Sequence, residues 1–232
     1  MLADSDKSFS NTQRRASGIA EDMAKLSGVV FNAMNANKTY AFDVAEIIPA
    51  DEDKVPGVTY DEHTHKVVIS VIDNLDGTLT VTTKIDGKVV DDDNRKILFE
   101  NTYKAADANF ATAKLGLTKV LEGRYWQDGD LFTFELEGVG GAPVPMGDNG
   151  TPSTSVVVGP NDVVDGAAKI DFGSIVYTQP GQYEYKVTEE RGSAGGMSYS
   201  KNVAAYRVTV RDNTETGELE ATVKLISGDR EF

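Results

Sequence analysis

The sequence predicts an all-β chain folded as two tandem antiparallel β-sandwiches, each lacking one end of its domain. Three observations carry this. Apolar residues recur at every second position, as in Tyr40-Ala41-Phe42-Asp43-Val44 and Tyr183-Glu184-Tyr185-Lys186-Val187, the period of a half-buried strand. Gly and Thr are frequent and β-branched residues are spread throughout, which favours strands over helices. The second half of the chain also repeats the first in the same order, the mark of a duplicated unit.

Composition narrows the function classes. At 232 residues the chain can hold one large or two ordinary domains, and a hydrophobic content of 40% suffices for packed cores. The formal net charge of -14 argues against nucleic acid and anionic membrane as partners, since both need basic patches. With no cysteine, disulfides and thiol chemistry are excluded, and a secreted chain would need another reinforcement. No apolar run reaches the length of a membrane span, so membrane insertion is not expected of this segment. Met1 to Asp6 lacks the regions of a signal peptide, and no sorting signal closes the chain. The chain reads as a window cut from a longer array.

Taken in order, residues 1 to 23 are polar and poorly periodic. Alternation begins near Leu26, and Asn35-Ala36-Asn37-Lys38 reads as a turn before a strand over Tyr40 to Glu46. Ile47-Ile48-Pro49 ends that strand, because proline cannot extend a central ladder. Lys66 to Ile72 and Leu79 to Ile85 form a hairpin around Asp76-Gly77, a pair that tolerates the positive φ of such turns. A strand is expected over Ile97 to Tyr103, a short linker over Lys104 to Asn109, and a strand alternating from Ala113 to Leu121. Leu131 to Leu136 is a further strand after the turn at Trp126 to Asp130. Residues 138 to 167 are rich in Gly, Pro and Asp, with a short strand at Ser155 to Val158. Ala168 to Gly173 and Ile175 to Tyr177 lead to the strand ending at Glu189.

The repeat aligns Ala24-Lys25-Leu26 with Ala168-Lys169-Ile170, and Tyr40 to Glu46 with Tyr183 to Glu189. It also aligns Val58-Thr59-Tyr60 with Met197-Ser198-Tyr199, Asp73-Asn74 with Asp212-Asn213, and Leu79 to Lys84 with Leu219 to Lys224. Two domains follow, residues 1–106 and 107–232. The first is expected to lack its opening strands. The second is expected to lack its closing strand: matching Phe232 to Phe99 puts the counterpart of Asn101 two residues past the end.

Four polar residues interrupt apolar faces. Lys119 follows Leu115 and Leu117, Glu189 follows Tyr183, Tyr185 and Val187 (as Glu46 follows Tyr40, Phe42 and Val44), and Asn101 lies between Phe99 and Tyr103. A buried carboxylate costs several kcal/mol unless neutralised or paired, and two at matching places suggest a task. Burial favours a neutral amine on lysine and a protonated carboxyl on glutamate. Such an amine can attack an asparagine carboxamide polarised by the acid and expel ammonia, leaving a side-chain amide that crosslinks the domain without sulfur.

Leu117-Thr118-Lys119-Val120-Leu121-Glu122-Gly123-Arg124, Tyr183 to Glu190 and Phe99-Glu100-Asn101-Thr102-Tyr103 resemble the three signatures of the streptococcal pilin isopeptide-linkage domain family. The resemblance covers nearly everything after residue 24. It implies Ig-like (CnaB-like) sandwiches and spontaneous Lys–Asn isopeptide bonds. Lys119 and Asn101 are then isopeptide-forming residues, and Glu46 and Glu189 the assisting carboxylates. It further implies a stalk segment of a Gram-positive pilus or adhesin, extracellular and attached to the cell wall, whose partners are neighbouring repeats of the same longer protein. The reaction is a single-turnover self-crosslink, so the chain is not expected to be an enzyme and no cofactor is called for. Neither copy holds all three residues, so no bond is expected within either copy.

The alternative function is a ligand-binding module for a host protein or glycan, to which loop aromatics such as Trp126 would contribute. His63 and His65 alternate on one face as metal ligands can, without a convincing third ligand. Asp73 to Thr78 is acidic but lacks a calcium loop's length and closing Glu. Both are read as solvated turns.

Overall fold

The computed structural model describes residues 30–91 and 96–232. The repeat segment Ala24-Lys25-Leu26 and the alternation expected to begin near Leu26 lie outside the described residues. The chain divides into two compact units, Met1–Lys104 and Ala105–Phe232.

The first unit contains β1 (Lys38–Ala45), β2 (Val58–Thr59), β3 (Thr64–Asp73), β4 (Leu79–Ile85), β5 (Lys88–Val90) and β6 (Thr102–Tyr103). An antiparallel sheet has the order β1-β3-β4-β5, and β2 pairs with β6. β1 runs in register from Lys38 opposite Val71 to Ala45 opposite Thr64. The β3–β4 connection is a turn as expected, with the Asn74 N–H donating to the Thr78 carbonyl at 3.1 Å, but positive φ falls at Leu75 and Gly77 rather than at the Asp76-Gly77 pair. Tyr40 and Val44 are half-buried, whereas Phe42 is exposed, β1 being an edge strand among the described residues.

The second unit contains β7 (Ala108–Ala111), β8 (Leu117–Val120), β9 (Phe132–Val139), β10 (Ser155–Val158), β11 (Val163–Val164), β12 (Ala167–Ile170), β13 (Ser174–Tyr177), β14 (Gly181–Glu189), β15 (Val203–Asn213) and β16 (Glu218–Ser227). One layer is the sheet β10-β9-β14-β15-β16, and the other comprises β11-β12-β8 and β13-β7. Alternate residues from both layers meet in one core, including Phe134 of β9, Val187 of β14 and Tyr206 of β15 with Leu117 of β8 and Ile170 of β12. Each strand thus presents one apolar face inward, as a packed sandwich requires.

Three expected elements differ. The expected strand over residues 97–103 keeps its alternation of half-buried and exposed side chains, but only Thr102 and Tyr103 join a ladder. Before them the Glu100 N–H donates to the Asp61 carboxylate instead; a side chain can satisfy a backbone group that no ladder among the described residues satisfies. The expected linker is partly paired: Ala106 bonds to Gly217 and Leu219, and β7 begins at Ala108. Residues 112–115 form a 3-10 turn rather than strand, ended by Gly116 at φ +68°. Leu115 still lands inward beside Leu117 and Lys119.

Candidate functional site

In the second unit β8 brings Lys119 into the sandwich and β14 brings Glu189 from the opposite layer. On β8 the inward set is Leu117 and Lys119, and β12 holds the strand in place, with Ala168 opposite Lys119. On β14 the inward set is Tyr185, Val187 and Glu189, with Phe134 of β9 opposite Glu189. The Lys119 Nζ lies 2.9 Å from Glu189 Oε1 and donates to Oε2 at 3.1 Å. The two side chains are 5% and 0% exposed, so water does not screen the pair. Glu189 Oε2 also accepts from the Ser200 N–H at 2.7 Å. The ammonium sits 4.6 Å from the centre of the Phe132 ring, a cation–π contact strengthened by desolvation. Trp126 and Tyr199 pack on the same ring, and Phe232 packs edge-on against Phe134.

Beside this pair the last residues return to the first strand. Thr118 N–H donates to the Arg230 carbonyl, Phe232 N–H to the Thr118 carbonyl, and Val120 N–H to the Phe232 carbonyl, all within 2.9 to 3.0 Å. The pairing of Thr118 with Glu231 is parallel. In a parallel pair side chains of matched positions share a face, so Phe232, the position matched to Lys119, is buried on the same side of the strand.

The first unit holds the complementary half. Asn101 Nδ2 donates to Glu46 Oε1 at 2.6 Å, and Asn101 Oδ1 accepts from the Asp61 N–H at 2.7 Å. Glu46 Oε2 is buried and has no hydrogen-bond partner among the described residues. The Asp61 carboxylate accepts from the N–H groups of Glu100 and His63, and these bonds hold its carboxyl below the usual aspartate range.

The two units match in detail around these clusters. Tyr60 OH accepts from the Val55 N–H, and Tyr199 OH from the Ala194 N–H, each five residues upstream. Gly57 and Gly196, each three residues before the tyrosine, have φ +78° and +76°. The next residue is Asp61 in one unit and Ser200 in the other, and each offers its N–H to the cluster. A family model for Spy0128-like isopeptide containing domains (FctA) matches residues 2–104 and again residues 115–232. The chain belongs to this family.

Among solved structures, the major pilin from Streptococcus pyogenes is similar at 19% identity, over 88% of this chain and 66% of that chain, with a TM-score of 0.27. A mutant of that pilin is similar at 18% identity, over 86% and 66% of the two chains, with a TM-score of 0.27. Another mutant gives 18% identity, 88% and 68%, and a TM-score of 0.25. The chain thus spans less than two thirds of the length of the first of these. No curated protein matches it.

Of the four residues singled out in the sequence, the structure brings Lys119 to Glu189 and Asn101 to Glu46. Lys114 is exposed outside the core, over the Phe110 ring. His65 is bound to Asp86 at 2.7 Å, and no group of metal-ligating side chains occurs among the described residues. The backbone N–H groups of Asp61 and Ser200 were not singled out. The aligned Val58-Thr59-Tyr60 and Met197-Ser198-Tyr199 segments, which immediately precede them, were the signal that could have found them.

Proposed function

We propose that the chain is a structural segment of a Gram-positive surface pilus or adhesin stalk, made of two repeats (residues 1–106 and 107–232) whose intact forms crosslink themselves through Lys–Asn isopeptide bonds. In this reading Lys119 and Asn101 are bond-forming residues of their respective repeats, and Glu46 and Glu189 assist. Neighbouring repeats of the same longer protein are the partners, and the cell wall is the site of attachment.

One observation carries the reading: the equivalent glutamates contact the two nitrogens that the reaction exchanges. Glu189 lies on the attacking nitrogen, Lys119 Nζ, and Glu46 on the leaving nitrogen, Asn101 Nδ2. In a complete site a proton passes from the ammonium to the carboxylate, freeing the amine. The amine attacks the carboxamide carbon. The protonated glutamate then gives its proton to the leaving NH₂, which departs as ammonia, and takes one back from the new amide nitrogen. One C–N bond forms and one breaks, and the glutamate ends as the neutral acid. Burial among Phe132, Trp126 and Tyr199 keeps water from competing at the carbon.

Intact mass tests this. The chain as it stands should show its full calculated mass, because neither unit brings lysine and asparagine together among the described residues. Extending it past Phe232 by Glu-Asn-Thr-Tyr, a copy of residues 100–103, places a carboxamide two residues beyond Phe232. That protein should lose one ammonia on folding, and Lys119→Ala should abolish the loss. The loop closed is roughly 100 residues, for which a crosslink stabilises by about 5 kcal/mol on the loop-entropy estimate. An extended chain that keeps its ammonia, or a Lys119→Ala chain that still loses it, refutes the assignment.

A further inference from the structure

The bond-forming reaction passes through a tetrahedral carbon whose oxygen carries negative charge, and such an oxygen needs a donor aimed at it. Neither glutamate meets this need in the geometry described, since each faces a nitrogen. The donor already on the oxygen is a backbone N–H: Asp61 N–H points at Asn101 Oδ1 at 2.7 Å. Its counterpart, Ser200 N–H, lies at the same step after the loop tyrosine and points at Glu189 Oε2, also at 2.7 Å. Both N–H groups are fixed by the same loop, closed by the bond to Tyr60 OH or Tyr199 OH and turned by a glycine at positive φ. In the first unit the Asp61 carboxylate also grips the Glu100 N–H, so Asn101 is held from both sides of one residue.

We propose that the backbone N–H of Asp61, and of Ser200 in the second unit, is the oxyanion donor of the crosslinking reaction, and that Ser200 N–H is held by Glu189 until a carboxamide oxygen takes it over. This rests on the crosslinking reading above. The N–H is a fixed dipole in a dry site, so it stabilises charge developing on oxygen without reorganising as the reaction proceeds. Nucleophile, proton carrier and oxyanion donor then come from three separate places: β8, the end of β14, and the loop after Tyr199.

The test uses the full chain extended past Phe232 by Glu-Asn-Thr-Tyr, purified unfolded in denaturant and refolded by dilution, with ammonia loss followed by mass. Replacing Ser200 by its α-hydroxy acid turns the amide N–H into an ester oxygen and removes only the donor. Ammonia loss should slow by about 10²–10³-fold, the cost of removing one oxyanion donor, and still reach the same product. The same replacement at the exposed Lys201, next along the loop, should react at the unsubstituted rate. An ester chain that reacts as fast as the unsubstituted one overturns the oxyanion role while leaving the crosslink standing. An unsubstituted extended chain that never loses ammonia sinks both. Should the ester chain fail to regain native Trp126 fluorescence, amide exchange in the unsubstituted crosslinked chain decides. The Ser200 N–H should shift in resonance on crosslinking and stay protected, and rapid exchange with solvent there overturns the proposal.

Discussion

Replacing Glu189 with Leu should be among the costliest single changes in the second unit. The substitution leaves the Lys119 ammonium, whose side chain is 5% exposed, without the carboxylate oxygens now at 2.9 and 3.1 Å. Breaking a buried ion pair by removing one partner costs about 3–5 kcal/mol, because the other charge remains desolvated. Ser200 N–H also loses its acceptor, with a penalty of about 1–3 kcal/mol for an unsatisfied buried donor. Removing both charges, as Lys119→Met with Glu189→Leu, should return most of the loss, since apolar replacements of a buried pair are often neutral or better. The double variant should then be destabilised by only the Ser200 term. Urea unfolding followed by Trp126 fluorescence measures this directly, because Trp126 packs on the Phe132 ring that also faces the ammonium. Midpoints at unchanged slope convert to free energies. A Glu189→Leu loss below about 1 kcal/mol, or a double variant as unstable as the single, would show that the ammonium reaches water and that the site is not dry.

Other expectations follow from particular contacts. Tyr177 OH donates to Tyr185 OH at 3.0 Å, which donates to the Pro143 carbonyl at 2.7 Å; burial raises both phenols, that of Tyr185 to about 12. Tyr185→Phe strands a donor and an acceptor and should destabilise by about 1–3 kcal/mol, more than Tyr177→Phe, as thermal unfolding will show. Gly57→Ala should destabilise the first unit more than Gly196→Ala does the second. Both positions have positive φ, but a Cβ at Gly57 meets the Tyr103 ring at 2.7 Å and the Lys104 carbonyl at 3.1 Å, whereas one at Gly196 meets nothing within 4 Å. The Arg124 guanidinium grips Asp130 through two bonds of 2.7 Å, and that bonding, with the Gln127 N–H, lowers its carboxyl to about 2. A lowered native value means the loop's contribution is present above the ordinary value near 3.8 and lost as pH falls through about 2. NMR titration should place the Asp130 midpoint there, and Arg124→Ala should raise it.

The alternation and the repeat made the strands legible, and the interrupted apolar faces made Lys119, Glu189, Glu46 and Asn101 legible as inward polar groups. A period of two reports which side chains share a face, so Leu115 was placed correctly although residues 112–115 turn as 3-10. It does not report whether a neighbouring strand exists. Residues 97–101 alternate as a strand does, yet the Glu100 N–H goes to the Asp61 carboxylate rather than to a ladder. The donors on the candidate oxyanion are main-chain groups, which every residue but proline possesses, so no residue type marks them. Only the matched loops closed by Tyr60 and Tyr199 single out those two N–H groups.

The parallel contact between β8 and residues 230–232 has a mechanical consequence. These strands point the same way but are reached from opposite ends of the unit's chain. Tension between Ala105 and Phe232 therefore drags them past each other along their length. The bonds at Thr118 and Val120 are then loaded together in shear instead of being opened one at a time, and Phe232 must slide off the Phe134 ring in the same step. A unit tethered in this way yields late and all at once, the behaviour needed of a link that carries load in series with others.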